Sequence, residues 1–335
     1  MTPFPCAAKS PPKSGEVRMI GKTGLTVRLG LVIAASVVAA FVPGLLPNLF
    51  YVHIANLTLL SGIFALSLWI IYSVGQLSFG HAAFAGVGAY MSALLSMRLG
   101  VPPAIGVIIA CLATAGMAVL LGAVILRLRG VYFVLVTFLF GQMFTLLALN
   151  WSDLTNGANG LISIPAITVG GFSFGPRPVF FYLAFAVFLA VLLFAWGLKR
   201  STFGRAFDSI HQNIDLAESC GIDTARYQVI AFAIGSGIAG LGGALTAHYI
   251  RFVSPDTFTF HNSVAFITML VVGGRSLFWG AVIGAAVITP LPELLRDFEG
   301  LQHIIYGAIL ILVLRTLPGG LISIPSVLRR KGGGR

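Results

Sequence analysis

From residue 29 onward the chain reads as long apolar runs separated by short polar breaks, and within the runs apolar residues are continuous instead of alternating. Continuous runs are the signature of membrane-crossing helices, because a helix satisfies its own backbone in lipid; barrel strands would alternate. Runs over 29–46, 50–71, 78–97, 103–126, 131–149, 179–198, 228–250, 260–272, 277–288 and 303–314 predict an all-α polytopic membrane protein with about ten spans. The last three runs fall short of the ~20 residues a perpendicular span needs, so two of them folding back as re-entrant pieces would leave about eight.

Three breaks in the pattern stand out. Residues 199–226 form the long interior stretch that water solvates best, with Asp208, Asp215, Glu218 and Asp223. Phe203, Ala206, Phe207 and Ile210 recur at helical spacing, predicting an amphipathic helix. Asp215 followed by Glu218 resembles a capping box for a second short helix, Gly221 sits where such a helix ends left-handed, and Asp223 or Thr224 can cap the following span. The pattern alone leaves two readings, a solvated connector or a docking surface.

The second break is the stretch after Gly75, where Gln76, Ser78 and His81 stand among Gly75, Gly80, Gly86 and Gly88 in apolar surroundings. It is either an interhelical turn with packing glycines or a broken helix beside a solute path, with Gln76, Ser78, His81 and, further on, His248 as path candidates. The third, 151–178, is a turn-rich loop whose Asn156-Gly157 and Asn159-Gly160 pairs are strong turn signals. Within the run 228–250, Gly235, Ala239 and Gly243, and likewise Ser236, Gly240 and Ala244, repeat every fourth residue, the spacing that lets helix backbones approach; Gly280 and Gly284 read the same way.

Composition narrows the function. Of 335 residues 57% are hydrophobic and only 9% charged, too few to cover a water-soluble fold. No carboxylate occurs between Glu16 and Asp153, which argues against an ion-coupled carrier built on an intramembrane acid. A net charge of +11 fits the positive-inside rule better than nucleic-acid binding: with both termini inside, only Arg98, Arg177, Arg251 and Arg296 fall outside. The expected organisation is a basic cytoplasmic tail over 1–28, a membrane domain over 29–320 and a basic tail over 321–335, with 199–226 cytoplasmic and 151–178 external. Cys6, Cys111 and Cys220 lack paired spacing and mark no metal site or disulfide. Gly15, Gly21, Lys22 and Thr23 come near a phosphate-loop pattern, but the glycines are one residue too far apart and no strand precedes them. No catalytic pair falls at a spacing that points to joint chemistry. A passive channel stays open on these grounds, and ATP dependence would discriminate it.

The block GQLSFGHAAFAGVGAY from Gly75 to Tyr90 resembles that of the LivM-type permease subunits of branched-chain amino acid ABC importers. Further blocks follow in that family's order: TNGANGL from Thr155, GRA from Gly204, AESCGI from Ala217, AGLGGAL from Ala239, FVSPDTFTF from Phe252 and WGAVIGA from Trp279. Asn156, Asn159 and Arg275 depart from the usual pattern. The resemblance implies a type II ABC importer permease in a bacterial inner membrane, paired with a LivH-type permease. It further implies two ATP-binding subunits of LivG and LivF type that carry the ATP and Mg²⁺, and a periplasmic substrate-binding protein. It places Ala217, Glu218, Gly221 and Ile222 at the helix that couples to the ATPase, and Asn156 and Asn159 on the binding-protein side. It implies no cofactor on this chain, and leaves urea, short amides or aromatic carboxylates as other cargoes.

Overall fold

The computed structural model describes residues 48–128, 130–275, 277–294, 307 and 320–323. The spans expected at 29–46 and 303–314 and both basic tails lie outside these residues, apart from Gly307 and 321–323. Long helices form where the apolar runs are: α1 (Leu49–Tyr72), α2 (His81–Arg98), α3 (Pro103–Ile125), α4 (Val131–Asn150), α6 (Arg177–Arg200) and α9 (Thr224–Ile250). Shorter helices are α5 (Ser152–Thr155), α7 (Thr202–Gln212), α8 (Ile214–Ser219), α10 (Phe260–Gly273), α11 (Phe278–Ile288) and α12 (Pro290–Leu294). Among the described residues, five helices are long and apolar enough to cross a bilayer, namely α1, α3, α4, α6 and α9.

α9 is the axis of the molecule, with α1, α2 and α3 packed around it. The apolar windows of α1 and α9 are each 67% buried, against 28% for α3, 22% for α4 and 33% for α6, so the first two form the interior and the others face outward. The fourfold-spaced small residues explain the tightness. A side chain at Gly243 would overlap the Ala85 carbonyl, one at Gly88 the backbone of Gly240, and one at Gly235 would press on Ser67 and Ile71. In lipid, where burial supplies little driving force between helices, such backbone contact holds the bundle.

The runs at 260–272 and 277–288 do not form two full spans. α10 and α11 have 14 and 11 residues, about 21 and 17 Å of helix, and fold against each other with a bend of 116°. Gly274, at φ 117°, makes the bend, and a Cβ at Gly280 or Gly284 would overlap the carbonyls of Gly274 or Met269. By length and composition the bent pair makes at most one crossing, as a broken span or a re-entrant loop, in place of the two spans expected from these runs.

The two ends of the bundle differ. At one, here the loop end, His53 Nδ1 meets the Tyr249 hydroxyl at 2.7 Å, Asn56 donates to the Arg177 carbonyl at 3.0 Å, and Arg98 donates to the Asp153 and Leu154 carbonyls. Small strands not foreseen from the sequence organise this end. β1 (Leu161–Ile162) pairs antiparallel with β4 (Phe252–Val253), and β2 (Thr168–Val169) with β3 (Phe172–Ser173) around Gly170 and Gly171, both at positive φ as a tight hairpin requires. The other end is the platform end, made by α7 and α8.

Candidate functional site

The platform is a two-helix unit fastened to the end of the bundle. Ser201 caps α7 through the Gly204 amide, and a Lys199–Asp208 ion pair ties the end of α6 to α7. Ala206, Phe207 and Ile210 turn inward as their spacing predicts; Phe203, expected on the same stripe, is 44% exposed and rests edge-on against Tyr227 at 5.7 Å. The cap of α8 is not Asp215: Asn213 accepts from the Leu216 amide at 3.1 Å, while Glu218 accepts from the Thr224 hydroxyl at 2.6 Å. Gly221 takes the left-handed conformation at φ 82°, and Asp223 caps α9 through the Arg226 amide at 3.0 Å.

This geometry divides the four coupling candidates. Ala217 is buried and Ile222 half-buried, both against the small core of Val74, Phe207, Ile210 and Ala231, so they seat α8 on the platform. Glu218 and Gly221 are on the surface. Beside them stands Leu216, 63% exposed, which the sequence reading passed over. An exposed leucine next to a carboxylate on a short capped helix is a shape that fits a groove.

The polar stretch after Gly75 is a non-helical link between α1 and α2, and it is buried. Gln76, Ser78 and His81 have relative exposures of 4%, 0% and 0%. His81 Nε2 lies 2.7 Å from Ser67 Oγ, five residues before the end of α1, so the link climbs back into the bundle before α2 begins. Its freed backbone groups find partners on neighbouring helices: the Phe79 amide donates to Thr137 Oγ1 at 3.2 Å and the Ala82 amide to Ser263 Oγ at 2.9 Å. Irregular backbone at membrane depth needs such protein partners. Ser78 Oγ and His81 Nδ1 are buried with no hydrogen-bond partner among the described residues.

His248 lies elsewhere, at the loop end. Its two ring nitrogens meet Ser92 Oγ at 2.8 Å and the Pro165 carbonyl at 2.7 Å, so it joins α2, α9 and the loop. Asn156 is a turn residue at φ 63° whose side chain donates to the Gly160 carbonyl at 2.9 Å; Asn159 is exposed beside it.

Platform and link touch. His211 Nδ1 is 3.1 Å from the Tyr72 carbonyl, its ring packs edge-on to Tyr72 at 5.1 Å, and it lines the space beside Gly75. Val74, in the link, belongs to the platform core. Neither His211 nor Ser67 carried a sequence signal, since both owe their roles to contacts far away along the chain.

The described residues thus make a helical bundle with membrane-length apolar helices that buries neutral polar groups and carries a capped helix at one end. Comparison with known proteins fixes the kind. Residues 50–314 match the family described as branched-chain amino acid transport system, permease component, and the chain belongs to that family. It is a transport subunit, not an enzyme. It is 31% identical over 323 residues to the high-affinity branched-chain amino acid transport system permease protein LivM of Escherichia coli K12, covering 89% of this chain and 76% of that one. It is 26% identical over 191 residues to LivH of the same organism, covering 53% and 60%. To the autoinducer 2 import system permease protein LsrC of Salmonella paratyphi B it is 33% identical over 117 residues, covering 33% of each. No solved structure matches.

Proposed function

We propose that this chain is one half of the pore of an importer for branched-chain amino acids in a bacterial inner membrane. Its other half is a LivH-type permease; similarity to both LivM and LivH supports a pair of homologous permeases. Two ATP-binding subunits, carrying ATP and Mg²⁺, dock on 199–226 from the cytoplasm, and a periplasmic binding protein delivers solute to 151–178, where Asn159 is available for contact. Both termini are then cytoplasmic.

The observation that carries the reading is the build of α8. Ala217 and Ile222 anchor it, while Leu216, Glu218 and Gly221 face outward on a helix that can seat in an ATPase cleft as one body. Closure of the ATPases moves α8 and α7; Val74 and His211 pass the movement to the link; and the link carries Gln76 and Ser78 and leads into His81 at the start of α2, the groups that stand beside the solute path in this reading. His248, held on both nitrogens, keeps the loop end in register.

Uptake of labelled leucine by cells with and without this chain tests the reading, with unlabelled isoleucine, valine, urea and benzoate as competitors. Loss of saturable uptake that isoleucine and valine compete is expected. Unchanged leucine uptake would remove the cargo assignment, and the compound whose uptake does change would replace it.

A further inference from the structure

Between α3 and α9, at the platform end, lies a groove of about 710 Å³ whose mouth carries Arg127, Asp223 and Arg226. Behind the mouth the walls are apolar, with Val119, Gly122 and Val229 among them.

Three properties of the groove converge. The first is depth. α3 ends at Ile125 after 23 residues, about 34 Å of helix, enough to cross a hydrocarbon core of about 30 Å, so Arg127 stands at headgroup level. The second is charge. Two arginines and one aspartate line the groove, and the aspartate's carboxylate already accepts the Arg226 backbone amide as the cap of α9. Neither guanidinium makes a hydrogen bond or ion pair among the described residues. The third is access: Leu120 and Val124, next along α3, are 75% and 70% exposed, so this flank of the helix is open to the bilayer.

We propose that the groove binds an anionic phospholipid, its phosphate held between Arg127 and Arg226 and one acyl chain lying between α3 and α9. A guanidinium fork pairs phosphate oxygens two at a time, which a lysine cannot do, and two forks at one mouth hold a phosphodiester from both sides. Apolar walls offer an acyl chain little that bulk lipid does not, so the preference comes from the headgroup. A basic mouth on an apolar groove between membrane helices has the shape and charge order of such a lipid. A protein surface docked on the same groove would have to bring its own carboxylate to the two arginines.

The test uses the complete importer, purified with its partner subunits and examined by native mass spectrometry. Phosphatidylglycerol and phosphatidylcholine of matched acyl chains are the probes. The wild type is expected to retain phosphatidylglycerol in preference, by about fivefold per arginine. Arg127→Gln with Arg226→Gln should abolish the preference, and Val229→Trp, which blocks the groove but keeps both charges, should lower retention of bound lipid. Both arginines are on the surface, so the double variant should assemble; if it does not, Arg127→Gln alone, read by the rise in melting temperature on adding phosphatidylglycerol, decides between the same outcomes. Equal retention of both lipids overturns the proposal, as does an unchanged preference in the arginine variants. Cross-linking of Arg127→Cys to the second permease would overturn it too, by assigning the groove to a protein.

Discussion

Residues 199–226 and 73–81 were both conspicuous as polar interruptions between apolar runs, yet the fold treats them in opposite ways. The platform keeps its charges in water and is held by ordinary hydrophobic burial of Phe207, Ile210, Ala217 and Ala231 around Val74. The link gives up its water, carries no carboxylate, and is held with the start of α2 by side chains of three helices, α1, α4 and α10, acting on backbone amides and on His81. A polar break in a membrane sequence therefore says that something other than lipid meets the chain there; whether that is solvent or protein is decided by charge. Four carboxylates mark the first stretch and none the second.

The largest effect separating the two regions concerns space for a side chain. A Cβ at Gly80 would overlap the Thr137 carbonyl, whereas one at Gly221 meets nothing among the described residues. Gly80→Leu is expected to cost more than the 1–3 kcal/mol or so of ordinary overpacking, because backbone must move, and to remove most folded protein from size-exclusion profiles of detergent extracts. Gly221→Ala carries only the left-handed strain, about 1–2 kcal/mol, with extraction little changed. If the two substitutions cost the same, the contrast between a closed and an open region fails.

Next comes the contact between the regions. His211→Ala removes the ring from Tyr72 and Gly75 without touching the outer face of α8. ATP-driven uptake should fall by about tenfold, a coupling of about 1.4 kcal/mol, while the ATPase still copurifies. Uptake equal to wild type would show that this contact carries no coupling. Ser78→Ala sharpens the comparison from the other side. The hydroxyl is buried with no partner among the described residues, so its removal should leave the melting temperature unchanged or slightly raised, and a rise in KM for leucine would place it on the solute path. The smallest effect is at the loop end: Asn156→Gly keeps the left-handed turn at the expense of one hydrogen bond to Gly160, and stability should shift by no more than about 1 kcal/mol, with uptake intact.

Much of the architecture was legible before any coordinates. Apolar period and charge located α1, α3, α4, α6 and α9 to within a few residues, and the small-residue spacing foretold which faces of α9 would be crowded. Gly221 and the cap at Asp223 followed from local chemistry, because caps and left-handed residues are decided by neighbours in sequence. Legibility stopped where partners are distant. Asn213 outcompeted Asp215 as the cap of α8 because it stands one residue before the helix begins. Leu216 looked like one more apolar residue, and only the packing of Ala217 and Ile222 turned it outward. The roles of Ser67, Thr137 and Ser263 around the link depend on which helices become neighbours, which no local pattern encodes.

In the function proposed above, force enters this subunit at the outer face of α8. The most direct test of that role is ATP-driven uptake of labelled leucine by proteoliposomes holding the complete importer, with this chain either wild type or Glu218→Arg, at matched amounts of membrane-inserted protein. The Glu218→Arg vesicles should hold an assembled permease that no longer transports. Uptake at the wild-type rate in the Glu218→Arg vesicles would contradict that role and return residues 199–226 to the status of a solvated connector.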